Sequence, residues 1–173
     1  MKIFLIGFMG CGKSKLGRTF AAKLNRPFID LDEMVELQYQ MSIPDIFAAF
    51  GENGFREKER DVLQLAAMDN QAIIATGGGA PCFFDNMDWM NKNGITIFID
   101  PPVKVLAERL INARVERPLV KGKNMDQLID FIEMKLKERR PFYEQAQIIL
   151  KESDLGVDMM VNAIEEKLKS HQP

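Results

Sequence analysis

The stretch Gly7–Ser14, with the sequence GFMGCGKS, matches the pattern G-x-x-x-x-G-K-[ST] at every defined position. Glycines in such a stretch allow backbone N–H groups to turn inward around phosphate oxygens, and a helix that begins directly after them adds the positive end of its dipole. Lys13 is expected to reach the β- and γ-phosphates of a nucleotide, and the Ser14 hydroxyl is expected to bind Mg²⁺. The stretch therefore predicts a phosphate-binding loop, in preference to an ordinary glycine turn.

The residues on either side supply the context that this prediction needs. Ile3–Ile6 is a short apolar run, typical of a strand that is buried on both faces, and helical spacing at Leu16, Phe20 and Leu24 follows the loop. Cys11 lies within the loop. We interpret it as a small residue tolerated between glycines, in preference to a thiol whose pKa is lowered by the helix N-terminus.

Further along the chain, short apolar runs alternate with helical patterns. The predicted strands after the first are residues 27–29, 72–75, 95–99 and 148–150. Between the second and third of the five strands, Ser42 is a predicted helix N-cap, Gly51 a stop signal, and 53–68 a long helix. Alternating strands and helices favour an α/β fold with a parallel sheet covered on both faces.

Length and composition limit the classes of function. The chain has 173 residues and 19.7 kDa, so we expect one compact domain over 1–173. Its 23 Lys+Arg and 25 Asp+Glu give a net charge of −2, which argues against a dedicated nucleic-acid binder. The two cysteines are far apart, so no disulfide framework is expected, and no Cys/His cluster has zinc-ligand spacing. The single histidine, His171, lies near the C-terminus, which argues against catalysis by a histidine base.

The location and the oligomeric state are also expectations from the sequence. The apolar run before Gly7 is too short for a signal peptide or a membrane span. We therefore expect a cytoplasmic protein with no membrane partner. Small size and the lack of a sustained heptad pattern predict a monomer.

Two carboxylates and a glycine triplet follow neighbouring predicted strands. Asp30 and Asp32 follow the second strand, and Gly77–Gly79 follow the third. Ligands of open α/β sheets bind at the carboxyl ends of the strands, so both segments should border the phosphate loop. One carboxylate could hold the water shell of Mg²⁺ while the other takes a proton from a substrate hydroxyl. The alternative is helix N-capping, which requires only one of the two aspartates.

Basic residues are grouped in three further places. Arg56 and Glu59 lie three apart on one predicted helix, either as a surface ion pair or as a guanidinium held toward a substrate carboxylate. Arg139 and Arg140 lie close to a predicted helix break at Pro141, and two convergent arginines would suit a small carboxylate-bearing substrate. The segment 112–124 is basic with little apolar periodicity, so it is either a functional lid or a solvated loop.

Together these signals resemble the shikimate kinase family over essentially the whole chain. The segments that carry the resemblance are Gly7–Ser14, Asp30–Asp32, Gly51–Glu59, Thr76–Gly79, Arg117–Leu119 and Arg139–Tyr143. The resemblance implies transfer of the γ-phosphate of ATP to the 3-hydroxyl of shikimate, with Mg²⁺, in the synthesis of chorismate and the aromatic amino acids. It also implies a three-layer α/β/α P-loop kinase fold with five parallel strands in the order 2-3-1-4-5. A substrate-binding region at about 31–60 and a mobile lid at about 111–124 would complete that fold.

The resemblance assigns roles to individual residues. Asp32 would contact the shikimate hydroxyls and activate the nucleophile, while Arg56 and Arg139 would bind the carboxylate, with Glu59 orienting Arg56. Arg139 is preferred to Arg140 because the family pattern is Arg-x-Pro-x-Tyr. The remaining substrate contacts are Gly77, Gly78 and Gly79.

Nucleotide and metal contacts are implied in the same way. Catalytic roles fall to Lys13, Asp32 and Arg117, of which Arg117 would neutralise charge on the transferred phosphoryl group. Mg²⁺ would be bound by Ser14 and, through water, by Asp30. The nucleotide contacts are Gly10, Cys11, Gly12, Lys13, Ser14, Lys15, Arg109 and Arg117, with Arg109 stacking on adenine and Lys15 standing where the family often has threonine.

Two other kinds of protein fit part of the same pattern. Another small P-loop kinase, acting on gluconate or on nucleotides, could also use two arginines. A nucleotide-binding module without catalysis would need the phosphate loop alone, although Asp32, Arg56, Arg117 and Arg139 argue against a decayed active site.

Overall fold

The structure is a computed structural model that describes residues 1–113, 120, 122–151 and 157–170. The predicted residue Arg117 and half of the predicted lid at 111–124 lie outside these residues. The strands are β1 (Ile3–Ile6), β2 (Phe28–Asp30), β3 (Ile73–Ala75), β4 (Ile95–Ile99) and β5 (Ile148–Leu150). The helices are α1 (Lys13–Lys23), α2 (Leu31–Tyr39), α3 (Ile43–Ala66), α4 (Asn86–Asn93), α5 (Val103–Ile111), α6 (Met125–Tyr143) and α7 (Val157–Ser170), with a short 3₁₀ turn at Ala80–Cys82.

The five strands form one parallel sheet in the order β2-β3-β1-β4-β5. All five residues of β4 are buried, as are all four of β1. Successive strand residues point to opposite faces, so both faces of the sheet are covered by helices. The predicted α/β fold and its strand order are therefore confirmed.

The ends of the helices follow local signals in the sequence. The Ser42 side chain accepts a hydrogen bond from the Asp45 N–H and caps α3 as predicted. Gly51, the predicted stop signal, has φ 67° and ψ −176°, which breaks α3 into two helical segments. The second half of α3, which carries Arg56 and Glu59, is therefore a helical segment separate from the first.

The helix α6 differs from the sequence-based expectation at its C-terminus. It begins with a capping box between Asn124 and Gln127 and continues past Pro141 to Tyr143. The predicted break near Pro141 is thus displaced by two residues, and the helix continues past the proline without the hydrogen bond that an N–H at this position would make. Arg139 and Tyr143 consequently lie on the same helix, one turn apart.

Across the described ranges, no helix is long and apolar enough to cross a membrane.

Candidate active site

The phosphate-binding loop connects β1 to α1 at the centre of the sheet. Gly12 occupies the N-cap position of α1 with φ 101°, a conformation that favours glycine, and no side chain caps the helix. The Lys13 Nζ donates to the carbonyl oxygens of Gly7 at 2.8 Å and Phe8 at 3.0 Å. The loop thus presents free helical N–H groups and a buried ammonium, which together form an anion-binding surface.

Asp30 links the second strand to this loop. Its Oδ2 accepts a hydrogen bond from the Ser14 hydroxyl at 2.6 Å, and its Oδ1 accepts one from the Asp32 N–H at 3.2 Å. Asp30 therefore caps α2, which was the alternative interpretation, and it also contacts the phosphate loop through Ser14. A hydroxyl and a carboxylate are oxygen ligands of the kind that Mg²⁺ prefers, and this pair fits that ion. In the part of the chain that the structure describes, no group of three or more His, Cys, Asp and Glu forms a metal site.

A cleft of about 310 Å³ opens above the loop. It is lined by Met9, Gly10, Gly12, Lys13, Ser14, Lys15, Asp30, Asp32, Thr76, Gly78 and Arg109. Arg109 lies at its rim and donates to the Cys11 carbonyl at 3.0 Å. Cys11 itself turns its side chain into the core, where it is 1% exposed.

The glycine triplet after β3 separates this cleft from a cluster of charged side chains. A Cβ on Gly78 would lie 3.4 Å from the Gly7 carbonyl oxygen and 3.5 Å from a guanidinium nitrogen of Arg139. A Cβ on Gly77 would lie 2.5 Å from Glu59 Oε1 and 2.9 Å from Asp32 Oδ1. At Gly78, the phosphate loop and the charged cluster are therefore separated by little more than the space that a methyl group would fill.

Arg56 and Glu59 form a buried ion pair in that cluster. Arg56 Nη1 donates to Glu59 Oε2 at 2.8 Å, and only 2% of the Glu59 side chain is exposed. Burial raises the pKa of Glu59 to about 7, although the charge and hydrogen bond of Arg56 oppose the rise. Among the described residues, the buried Nε of Arg56 has no hydrogen-bond partner. A buried donor of this kind can be satisfied by an anionic ligand.

Arg139 and Tyr143 approach the cluster from α6. The Tyr143 hydroxyl, buried beneath the site, donates to the Gly78 carbonyl. Burial raises the pKa of Tyr143, while the charge of Arg139 and a hydrogen bond with it act in the opposite direction. Arg140 points elsewhere, because it forms an ion pair with Asp100 at 2.8 Å.

The structure groups the predicted site residues around the sheet edge as follows. The phosphate loop, Asp30, Asp32, Gly78 and Arg109 surround the cleft, whereas Arg56, Glu59, Gly77, Gly79 and Arg139 lie beyond Gly78. Arg117 lies outside the described residues.

Sequence reasoning named Thr76 as part of the Thr76–Gly79 segment but gave it no role, although it lines the cleft. It did not point to Phe83, whose ring lies 4.2 Å from the guanidinium carbon of Arg56. The position of Thr76 directly before the glycine triplet is a signal that could have identified it. Phe83 belongs to no periodic pattern in the sequence, so nothing comparable pointed to it.

Comparisons with known proteins identify the family of the chain. A shikimate kinase family model matches residues 9–169. The shikimate kinase of Bacteroides thetaiotaomicron is 44% identical over 169 residues, covering 98% of this chain and 97% of that protein. A crystal structure of shikimate kinase from that organism has a TM-score of 0.94 and covers 98% of both chains. A structure of shikimate kinase from Acinetobacter baumannii in complex with shikimate has a TM-score of 0.85 at 31% identity, covering 99% of this chain and 95% of that one. The chain therefore belongs to the shikimate kinase family.

Proposed function

We propose that this enzyme transfers the γ-phosphoryl group of ATP to the 3-hydroxyl of shikimate, giving shikimate 3-phosphate and ADP. The observation that carries the proposal is the position of Gly78. Its Cβ position lies 3.4 Å from the phosphate loop and 3.5 Å from Arg139, a cation suited to a substrate carboxylate. A phosphate donor and a carboxylate-bearing acceptor could thus bind next to each other.

The phosphate loop would hold the nucleotide. The N–H groups at the start of α1 and the Lys13 ammonium would donate hydrogen bonds to the phosphate oxygens, with Gly10, Cys11, Gly12 and Lys15 forming the rest of the loop. Arg109 is proposed to stack on adenine. Mg²⁺ would bind the Ser14 hydroxyl and, through water, Asp30, and it would neutralise charge on the phosphates.

The residues beyond Gly78 would hold shikimate. Arg56 and Arg139 are proposed to bind its carboxylate, and Gly77, Gly78 and Gly79 to contact its ring. Asp32 would accept the proton of the 3-hydroxyl, directly or through water, as the oxygen–phosphorus bond forms and the bond from phosphorus to ADP breaks. The single histidine of the chain, His171, is not needed for this proton transfer.

A lid over the cleft would complete the site. We assign it to about 111–124 and expect Arg117 to neutralise the charge that develops on the transferred group. An arginine in this role can be worth about 10³-fold in rate. Exclusion of water by such a lid would limit hydrolysis of ATP.

The test is release of ADP in a coupled assay, with shikimate, gluconate and nucleoside monophosphates offered separately as acceptors. We expect turnover when shikimate is the acceptor and none when gluconate or a nucleoside monophosphate is the acceptor. Turnover only with gluconate or with a nucleoside monophosphate would assign the protein to another small kinase. Binding of ATP without turnover of any acceptor would leave a nucleotide-binding module.

We further propose that the chain acts as a single-domain monomer in the cytoplasm. Support comes from its exposed apolar side chains, which are spread over several helices, such as Leu37 on α2, Phe50 on α3 and Met134 on α6. Light scattering coupled to size-exclusion chromatography would test the monomer, and a dimer mass would contradict it.

A further inference from the structure

Arg56 is enclosed by the chain segment that follows the glycine triplet. A Cβ on Gly79 would lie 2.5 Å from Arg56 Nη2, so the guanidinium rests directly against the backbone there. The Phe83 ring centroid lies 4.2 Å from the guanidinium carbon, closer than that of Phe55 at 5.0 Å. The contacts from Gly79 and Phe83 come from one short segment, 79–83, which curves around the guanidinium through the 3₁₀ turn.

The backbone that carries Phe83 is fixed in place by local contacts. The Asn86 side chain is buried and donates to the Ala80 carbonyl at 2.9 Å, and the Asn86 N–H donates to the Phe83 carbonyl at 3.2 Å. Between them, Phe84 has φ 52°, a left-handed conformation that a bulky side chain rarely adopts. Strain of this kind persists where the surrounding structure fixes it, and it often accompanies functional sites.

The charge of Arg56 explains why an aromatic face is useful there. The Arg56 side chain is only 10% exposed. Glu59 accepts from Nη1 at 2.8 Å and Glu52 accepts from Nη2 at 3.4 Å, while Nε has no partner among the described residues. If Arg56 is to pair with a substrate carboxylate, its guanidinium plane must therefore be held in position by a contact that does not use the remaining N–H groups of the guanidinium. An aromatic ring attracts the cation through its face and occupies none of its N–H donors, so those that the two glutamates leave free stay available to a ligand.

We propose that Phe83 is a positioning residue, which holds the plane of Arg56 so that its free N–H groups face the carboxylate of shikimate. This inference rests on the proposed role of Arg56 in binding that carboxylate. Phe84, the next residue, stacks at 5.1 Å on Arg60 and is 53% exposed, so its ring serves a different arginine. The two phenylalanines thus provide a matched pair of sites for the same substitution.

The test compares Phe83→Leu and Phe83→Met with the control Phe84→Leu in the full chain. Shikimate Kd is measured by calorimetry, together with kcat, the KM of ATP, and Tm. We expect both Phe83 variants to weaken shikimate binding by about tenfold, with the KM of ATP unchanged. Phe84→Leu should change shikimate Kd by less than about twofold. Phe83→Tyr, which keeps the aromatic face, should restore wild-type affinity.

Arg56→Lys, alone and combined with Phe83→Leu, separates this inference from the function on which it rests. On the Arg56→Lys background, Phe83→Leu should have a smaller effect than on wild type, because the planar group has gone. Wild-type affinity in both Phe83→Leu and Phe83→Met would overturn the role of Phe83 alone, and so would an equal loss in Phe84→Leu. Wild-type affinity in Arg56→Lys would overturn the carboxylate site itself and this inference with it. Failure of wild-type enzyme to phosphorylate shikimate would overturn the proposed function.

Discussion

Glu59 is a carboxyl group whose surroundings act on its pKa in opposite directions. Its side chain is almost fully buried, which raises the pKa, while Arg56 and Arg139 lower it and Asp32 raises it. Burial dominates, and the resulting pKa of about 7 lies above the ordinary value of 4.5. The folded protein therefore holds this proton more tightly than the unfolded chain does.

The pKa of Glu59 predicts a pH dependence of stability. Its contribution is fully present below pH 4.5 and is lost as the pH rises through about 7. Over that window the free energy of unfolding should fall by about 3 kcal/mol relative to a variant without the titration. Glu59→Gln is that variant, because the amide cannot titrate and still accepts a hydrogen bond from Arg56.

Chemical denaturation of wild type and Glu59→Gln at several pH values from 4.5 to 8 provides the measurement. The variant can be less stable at every pH, since it removes the buried carboxyl partner of Arg56 and leaves only the exposed Glu52, at 3.4 Å, to balance that charge. The informative quantity is therefore the difference in slope between the two proteins. Parallel curves would show that Glu59 does not titrate in this range.

The helix α6 carries two adjacent arginines with different surroundings. Neighbouring residues on a helix point about 100° apart, so one side chain can reach the site while the other cannot. Arg139 lies by Gly78, whereas Arg140 donates from two nitrogens to Asp100, at 2.8 and 3.1 Å. Asp100 directly follows β4, so this pair fixes the helix to the sheet.

Alanine substitutions of these two arginines should therefore have opposite signatures. Arg139→Ala should raise the KM of shikimate by about 10- to 100-fold, because a charge-assisted contact is lost, with the KM of ATP little changed. Arg140→Ala should leave both KM values near wild type and lower the free energy of unfolding by about 1–2 kcal/mol. Steady-state kinetics and denaturation of both variants provide the comparison. Loss of ATP affinity in Arg139→Ala would contradict a role in binding the carboxylate.

Some features of the fold and the site could be predicted from the sequence, and others could not. Strands, the phosphate loop and the Arg56–Glu59 pair follow from local patterns and were predictable. The choice of Arg139 over Arg140 came from a family resemblance, because the rotation of α6 depends on distant contacts such as Arg140 with Asp100. The Tyr143 hydrogen bond to Gly78 joins residues 65 positions apart, and no periodicity marks it. The stacking of Phe83 on Arg56 is hidden from the sequence for the same reason.

At the scale of the molecule, strand order determines which loops meet. Because β3 lies next to β1, the glycine triplet contacts the phosphate loop, with a Cβ on Gly78 lying 3.4 Å from the Met9 nitrogen. Because β2 lies next to β3 on the side away from β1, Asp30 and Asp32 reach the same edge of the sheet from the other side of the glycine triplet. The crossover helices thus bring side chains from distant parts of the sequence to one edge of the sheet.

Gly78 lies where the proposed nucleotide and shikimate sites meet, and it offers a test of that arrangement. The nearest atoms to an added Cβ are at 3.4–3.5 Å, which is ordinary contact, so Gly78→Ala should change the free energy of unfolding by only about 0.5 kcal/mol. The methyl group would nevertheless occupy space between the two substrates. We expect kcat/KM for shikimate to fall by about 100-fold, because displacements of this size disrupt the alignment of reacting groups.

Gly94 is the matched control, since it lies at the opposite end of the sheet, directly before β4. A Cβ there would lie 2.7 Å from the Lys2 carbonyl oxygen, a backbone atom that cannot easily move. Gly94→Ala should therefore lower the free energy of unfolding by about 2 kcal/mol and leave both KM values near wild type. Denaturation and steady-state kinetics of the two variants should thus give opposite results. If Gly78→Ala kept wild-type kcat/KM, the two substrates could not be adjacent across Gly78, and the proposed arrangement of the site would be wrong.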